Sequence, residues 1–267
     1  MFPLVSIVTV CFNAKYDLEK TVESVINQDF RDFEYVIIDG GSTDGTFELL
    51  NNLEYRFKCK SIKFKYVSEV DKGTYDAMNK SLNFINGVWV NYLNAGDVFA
   101  SNSTLSDFWK CSIKEDISVC YGNTIEEYAF GQGLIQYDEE YHKNAVMPFC
   151  HQSAFVRKEI MRRYKFDIRY KIIADHDLFY RLRKDGLKFI HIPIIVSVYN
   201  AQYGLSATNP LLLNLELLKV YHVDKKWYYF FVLVYTYIRQ GLVQPLKRYM
   251  PRYLVYQLMM KRRKYIN

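Results

Sequence analysis

The chain lacks most of the features that would mark it as disulfide-stapled, zinc-bound or membrane-spanning. Its five cysteines (Cys11, Cys59, Cys111, Cys120 and Cys150) are scattered, odd in number and free of CxxC spacing. That argues against a disulfide framework or a structural zinc and for a reducing compartment. The opening MFPLVSIVTVCF has neither a basic leading segment nor a small-residue cleavage site, so it reads as a first strand and not as a secretory signal. No apolar run reaches the roughly 20 residues that a spanning helix needs. Internal repeats and low-complexity segments are absent. Acidic residues are missing from Lys225 onward, where ten Lys and Arg stand; the other 25 basic residues and all 29 acidic ones lie in residues 1–224, a net of −4. A mildly acidic body with a cationic, aromatic tail is not the layout of a nucleic-acid binder, whose basic residues gather round the main cleft. A cytosolic protein with no nucleic-acid partner is expected.

What is present is ample core material: half of the 267 residues are hydrophobic and 17% are aromatic. The length suits one large α/β domain, or a domain with an appended module. VSIVTVCF is a short, β-branched apolar strand. It leads into LEKTVESVINQ, which sets Leu18, Val22, Val25 and Ile26 on one helical face. FEYVIIDG reads as a second strand, IKFKYVSE as a third and GVWVNYL as a fourth, with helices over FELLNNL and TYDAMNKSLNFI between them. Repeated βα units predict a mostly parallel sheet with helices on both faces. Further on, VCYGNTIEE and GLIQYDEEY read as strands, HQSAFVRKEIMRRY as a strand entering a helix, ADHDLFYRLRKDG as a helix stopped by Gly186, and LKFIHIPIIVSVYN as one strand or a pair.

Open sheets of this kind bind ligands outside the carboxyl ends of their strands. The polar residues Asn13, Asp39, Glu69 to Lys72 and Asn94 to Asp97 all fall at such ends. Ser42 and Asp44 read as caps of the following helix. The run Asn94-Ala95-Gly96-Asp97 is open to two readings. A turn explains Asn, Gly and Asp without chemistry; a cation site explains the carboxylate, although hard divalent ions usually take more than one.

The segments SIVTVCFN, IIDGGSTDGT, SEVDKGTYDAMNKSL, GVWVNYLNAGD, HQSAFVRKE and ADHDLFYRL, in this order over roughly residues 4 to 206, resemble the family 2 glycosyltransferases and their GT-A fold. The nearer resemblance is to the bacterial branch that builds O-antigen and capsule repeat units. The resemblance implies inverting transfer of a sugar from a nucleoside diphosphate. It places Asp39 against the donor's base, with Thr9, Phe12 and Asn13 lining that pocket, Asp71 and Lys72 near the nucleoside, ribose or diphosphate, and Asn94 as a helper beside Asp97. It assigns Mg²⁺ or Mn²⁺ to Asp97, the one carboxylate where the family commonly has Asp-x-Asp; the donor's diphosphate would complete the shell. Asp175 falls at the position of the base, with Ala174 where a Glu is usual, and Asp177 is left structural. His151-Gln152 matches a His-Gln pair near the acceptor or diphosphate. His176 reads as exposed or packed and His191 as core, and Tyr203-Gly204-Leu205-Ser206 resembles a closing loop.

These readings give a GT-A domain over residues 1–210, with a nucleotide-binding half to about residue 100 and an acceptor half from 101 to 210. A helical, amphipathic extension follows over residues 211–267. Its Trp, Tyr, Phe and basic residues suit a helix pair resting on anionic lipid. The expected activity moves a hexose or N-acetylhexosamine from a UDP-sugar to a polyprenyl-diphosphate-linked saccharide at the inner face of the cytoplasmic membrane. The rivals are a nucleotidyltransferase on a related sheet and a non-catalytic nucleotide-sugar-binding protein.

Overall fold

The structure is a computed structural model that describes residues 4–111, 113–128, 131–137, 147, 149–200, 204–222 and 226–238. Tyr203, the end of the GLIQYDEEY segment and the tail 239–267 lie outside the described residues.

Strand β1 (Val5–Cys11) is buried over its whole length because it has a parallel neighbour on each side: β2 (Phe33–Asp39) and β4 (Trp89–Tyr92). Strand β3 (Lys63–Ser68) pairs parallel with β2 and forms the edge, where its first residues alternate between exposed and half-buried. These four strands are the parallel part of the sheet. Beyond β4 the order continues β8 (Ala154–Arg157), β6 (Val119–Tyr128), β9 (Phe189–Asn200) and β5 (Val98–Phe99). The β4–β8, β8–β6 and β5–β9 pairings are antiparallel. Strand β7 (Gly131–Ile135) pairs with β6 off this path. The segment from Phe189 to Asn200, read from sequence as one strand or two, is one continuous strand.

Side chains on successive strand positions point to opposite faces, and the core divides accordingly. Val5, Ile7 and Cys11 join Phe33, Tyr35 and Ile37 on one face. There they pack on α1 (Lys15–Ile26) through Leu18, Val22 and Val25, on α2 (Thr46–Cys59) through Leu50, Leu53 and Phe57, and on α4 (Thr104–Lys110) through Leu105 and Phe108. Val8, Val10, Val36 and Ile38 face the other way. They pack on Tyr75 and Met78 of α3 (Thr74–Ser81), Met161 of α5 (Lys158–Tyr164), and Leu178 and Leu182 of α6 (Ala174–Lys184). Helix α6 ends where expected, with Gly186 N–H on Arg183 C=O and Leu187 N–H on Leu182 C=O. Burying a Leu or Phe fully stabilises by about 1.5–3 kcal/mol, so these two layers fix the strand ends that carry the site.

The chain divides into two compact units: residues 1–126 with 134–200, and residues 127–133 with 201–267. The second contains α7 (Leu205–Thr208), α8 (Pro210–Val220) and α9 (Lys226–Ile238). Helix α9 packs on α8, with Thr236 buried and its hydroxyl 3.5 Å from the Asn214 amide. The rest of α9 leaves Trp227, Tyr228, Phe230, Phe231 and Tyr237 exposed. No helix among the described residues is long and apolar enough to cross a membrane.

Candidate active site

At the carboxyl ends of β1 and β2 the chain forms a donor-side corner. Asn13 adopts a left-handed backbone (φ 49°) and its amide oxygen accepts the Thr43 N–H at 2.8 Å. Its own N–H donates to Ser42 Oγ at 2.7 Å. Phe12 beside it is 62% exposed. Gly40 lies close under both side chains: a Cβ there would come within 2.7 Å of Asp71 Oδ2 and 3.3 Å of the Phe12 ring. The Phe12 ring and the Asp71 carboxylate therefore both close on Gly40, and Asp71 Oδ1 is held by the Gly73 N–H at 2.7 Å. Lys72 is exposed, and among the described residues its ammonium pairs with no carboxylate.

Two of the donor residues expected from sequence do not reach the crevice. Asp39 is fully buried; its carboxylate accepts from Ser68 Oγ at 2.6 Å, from the Ser42 N–H at 3.1 Å and from Ser42 Oγ. It shapes the loop over Gly40–Ser42 from beneath. Thr9 is also fully buried, donating to Leu93 C=O at 2.7 Å and accepting from the Tyr35 hydroxyl at 2.8 Å. It ties β1 to the segment after β4 and presents no atom to a ligand. Ser42 is not a helix cap either: Gly45 stands at the start of α2, and the Ser42 hydroxyl turns back to Asp39. Asp44 does serve that helix start, accepting the Thr46 N–H at 3.1 Å.

The segment after β4 is a turn as well as a site. Asp97 N–H closes it on Asn94 C=O at 3.0 Å, and Gly96 provides the positive φ of 98°. Thr21 of α1 pins it, accepting the Gly96 N–H at 2.9 Å and donating to Asp97 C=O at 2.8 Å. The Asp97 side chain is thereby held inside, 9% exposed, with Oδ2 accepting the Gln152 amide at 2.9 Å. Burial pushes its carboxyl up to about 6, against the Gln152 hydrogen bond and the nearby His151. A buried carboxylate whose direct partner is a neutral amide fits a cation. Among the described residues no three His, Cys, Asp or Glu gather round one point, so phosphate oxygens would have to supply the remaining negative ligands.

The third corner is the start of α6. Asp175 Oδ1 accepts from the His176 N–H at 2.9 Å and the Tyr75 hydroxyl at 3.1 Å. Its Oδ2 lies 3.0 Å from His151 Nδ1. Burial raises the Asp175 carboxyl, but His151 and the other donors outweigh it and hold it low. Burial likewise lowers His151, and the hydrogen bond and charge of Asp175 with the charge of Asp97 raise it above its usual range. Asp177, left structural in the sequence reading, pairs with Arg181 at 2.8 Å. His176 is half-buried, and burial lowers it. His191 packs beside Tyr121, with Nε2 2.9 Å from Asn123 Oδ1.

One dipeptide joins these corners. The 3₁₀ turn His151–Ser153 is fastened to β4 by the Asn91 amide, which donates to Gln152 C=O at 2.8 Å and to Ala154 C=O at 2.9 Å. From that turn Gln152 reaches Asp97. His151 reaches Asp175 with one ring nitrogen and Asn94 with the other, at 3.1 Å. Thr21, Tyr75 and Asn91 were not singled out from sequence. Tyr75 lies in a motif that was, but its hydroxyl can be credited only once α3 and α6 are seen side by side.

A mixed α/β sheet of this order, with its polar corners at the parallel strand ends, is that of a GT-A sugar transferase. The chain belongs to glycosyl transferase family 2, whose model matches residues 6–174, and it is a glycosyltransferase. Among curated relatives, the PGL/p-HBAD biosynthesis glycosyltransferases of Mycobacterium tuberculosis and Mycobacterium bovis are 29% identical over 212 residues, 77% of this chain and 80% of theirs. An uncharacterized glycosyltransferase of Haemophilus influenzae is 30% identical over 128 residues, 48% of each chain. Among solved structures, the mannosyltransferase PcManGT from Pyrobaculum calidifontis, in complex with GDP-Man and Mn²⁺, aligns with a TM-score of 0.66. The two are 14% identical, over 100% of this chain and 85% of that one. Residues 1–349 of S. aureus TarS, in complex with UDP-GlcNAc, align with a TM-score of 0.61 at 15% identity, over 82% of this chain and 67% of that one. Against the longer TarS chain the match spans 40% of its length.

Proposed function

We propose that the protein transfers a hexose or N-acetylhexosamine from a UDP-sugar, with inversion, to a saccharide carried on a polyprenyl diphosphate. The observation that supports this most is the connection of Asp97 to Asp175 through His151 and Gln152. A leaving-group corner and a proton-accepting corner lie at two ends of one hydrogen-bonded run. The donor's nucleoside lies against Phe12, Asn13 and Asp71, over the loop that Asp39 supports, with Lys72 free to approach the ribose or diphosphate. Asn94 and Asp97 face the diphosphate. Bound Mg²⁺ or Mn²⁺ at Asp97 would supply the positive charge that a departing nucleoside diphosphate needs. In the transfer the acceptor oxygen bonds to the anomeric carbon opposite the leaving group. The acceptor proton passes to the Asp175–His151 corner.

The acceptor's lipid carrier draws its support from helix α9, which exposes aromatic rings, and from the sequence that follows it, which has basic and no acidic residues. Such a surface suits peripheral binding at the inner face of the cytoplasmic membrane, in O-antigen or capsule assembly. A panel of nucleotide sugars with a synthetic GlcNAc- or GalNAc-diphosphate-lipid, with and without EDTA, tests the reading, the anomeric configuration being read by NMR. Transfer with inversion, lost in EDTA, is expected. Retention of configuration, or full activity in EDTA, would overturn the mechanism. Donor binding without transfer to any acceptor would favour a binding protein. For the surface, vesicles containing anionic lipid should retain the full chain and release a Phe230→Asp, Phe231→Asp variant.

A further inference from the structure

We propose that Tyr75 is a positioning residue of the transfer: with the His176 N–H its hydroxyl occupies Oδ1 of Asp175 and leaves Oδ2 as the oxygen that takes the acceptor proton. The inference rests on the reading of Asp175 as the base of the inverting transfer above. It names a residue on a different helix on which that base depends.

The hydrogen bonds around Asp175 carry the assignment. An ionised carboxylate only accepts, and it has about four acceptor sites, two on each oxygen. Both sites of Oδ1 are taken, by the Tyr75 hydroxyl at 3.1 Å and the His176 N–H at 2.9 Å. Oδ2 has one contact, His151 Nδ1 at 3.0 Å, and the Asp175 side chain keeps 15% of its surface exposed. Among the described residues, the acceptor site left over is therefore on Oδ2. In the step, the acceptor O–H bond breaks and its proton goes to Oδ2. The oxygen forms its bond to the anomeric carbon, the bond from that carbon to the diphosphate oxygen breaks, and the electron pair leaves on the nucleoside diphosphate. Without the Tyr75 hydroxyl Oδ1 would gain an open site of its own. The carboxylate could then turn about its Cβ–Cγ bond, and its proton-accepting lone pair would lose its direction.

The place of Tyr75 in the fold adds a second argument. It is the second residue of α3, and the loop entering this helix is the one set against the nucleoside. There Asp71 accepts the Gly73 N–H at 2.7 Å, and the Lys72 N–H donates to Asp76 at 2.9 Å. The Tyr75 ring is buried against Phe166, 5.4 Å between centroids. Its hydroxyl also faces Ile172 C=O at 2.6 Å, two residues before α6 begins. One proton is thus shared between the segment that enters α6 and the carboxylate that α6 presents. Docking of that segment has its own brace. Asn79, one turn further along α3, donates to Phe166 C=O at 2.8 Å and accepts the Phe166 N–H at 2.9 Å. A phenylalanine ring would fill the space at Tyr75 equally well, so what the oxygen adds is its hold on Ile172 and Asp175. Nucleoside loop and base are parts of one bonded run through α3.

The test compares Tyr75→Phe, Asn79→Ala and Asp175→Asn with wild type in kcat, donor KM and melting temperature. The Asp175 carboxyl is followed by ¹³C NMR, its signal being the one that Asp175→Asn lacks. Asp175→Asn should lose about 10²–10⁴-fold in kcat, the contribution of a positioned base. Tyr75→Phe should lose about tenfold or more, since small displacements of positioned groups are expensive, with donor KM within about threefold. Taking one donor from a carboxylate disfavours its charged form, so Asp175 should titrate roughly 0.5–1 pH unit higher in Tyr75→Phe. His151, His176 and Cys150, the other titratable groups near Asp175, are kept in this variant. Asn79→Ala loosens the same segment and should lower the melting temperature without moving that titration. If Tyr75→Phe does not fold, 3-fluorotyrosine in place of Tyr75 keeps ring and hydroxyl. Its fluorine resonance should follow the Asp175 titration and cease to do so in Asp175→Asn. A folded Tyr75→Phe within about threefold of wild-type kcat would overturn the proposal while leaving Asp175 as the base. So would an Asp175 titration that stays put in Tyr75→Phe or moves as far in Asn79→Ala, or a fluorine resonance indifferent to Asp175. Near wild-type kcat in Asp175→Asn, or transfer with retention, would overturn the transfer reading and this inference with it.

Discussion

The two ends of the site are held together in different ways. At the donor-side corner the polar groups have partners within the protein: Asp39 rests on Ser42 and Ser68, Asn13 on Thr43 and Ser42, and Asp71 on Gly73. At the chemical corner they are left short. Asp97 is buried with an amide for company, and among the described residues Asn91 Oδ1 and Asn94 Oδ1 have no hydrogen-bond partner. The first corner is a finished shelf that stands without substrate. The second is costly when empty, as sites are when their groups are arranged for a charge that arrives with the ligand. Changes at the two corners should therefore move stability and activity in different combinations.

The largest effect is expected at Asp97. Replacing it with Asn keeps an acceptor for Gln152 but removes the carboxylate, so transfer should fall by roughly 10³-fold, the scale of losing a main electrostatic stabiliser. Stability should move the other way. An acid whose folded pKa is raised from 3.8 to about 6 binds its proton more tightly when folded. Its cost is therefore absent below about pH 4, grows between about 4 and 6, and is constant above that. The shift corresponds to about 3 kcal/mol. Asp97→Asn should thus melt higher than wild type at pH 8 in EDTA, and the two should converge near pH 4. An equal or lower melting temperature at pH 8 would show that Asp97 is not strained in the empty site.

Asp39 should behave in the opposite sense. Asp39→Ala strands three donors beneath the loop, so a loss of about 1–3 kcal/mol is expected in urea unfolding. With the shelf misplaced, donor KM should rise about 10-fold or more while kcat changes little. If kcat fell and KM held, Asp39 would belong with the chemistry and the contrast between the corners would fail.

How much of this could be read beforehand follows the same division. Strand and helix periods exposed the parallel half, because β1 and β2 are short, mostly apolar runs bounded by turn residues and Leu18, Val22 and Val25 repeat at helical spacing. Asp97, Asp175 and the His151-Gln152 pair stood out by their place in ordered segments. What sequence could not give was direction. Thr9 and Asp39 sit in strand segments like their neighbours, and only the pairing of β1, β2 and β3 shows that both side chains end under the surface. The contact of His151 with Asp175 depends on a turn that Asn91 fastens from a third segment, and no spacing along the chain encodes it. The antiparallel extension was harder still, since its strands are interrupted by helices and its order β8-β6-β9-β5 does not follow the chain.

Thr21 offers a finer test because it serves the costly corner from a helix outside it. Its hydroxyl bonds Gly96 and Asp97 backbone groups at once. Thr21→Val keeps the volume and removes both bonds, which should cost about 1–3 kcal/mol of stability. A loosened Asp97 should also lower kcat by about tenfold, since small displacements of positioned groups are expensive. A stability loss with unchanged kcat would mean that β4 alone positions the turn.

The smallest expected effect is at Ser42, which belongs to the shelf. Its hydroxyl bonds Asp39 and accepts the Asn13 N–H, while its backbone N–H gives Asp39 a second contact that no side-chain change removes. Ser42→Ala should therefore cost about 1 kcal/mol and raise donor KM by about two- to fivefold, with kcat unchanged. Combined with Asp39→Ala it should add much less than its own effect, because both act on one network. Combined with Thr21→Val the stability losses should simply add, because the two networks share no bond. Strong coupling between Ser42 and Thr21 in that double-mutant cycle would show that the two corners are one cooperative unit, and the distinction drawn between them would have to be given up.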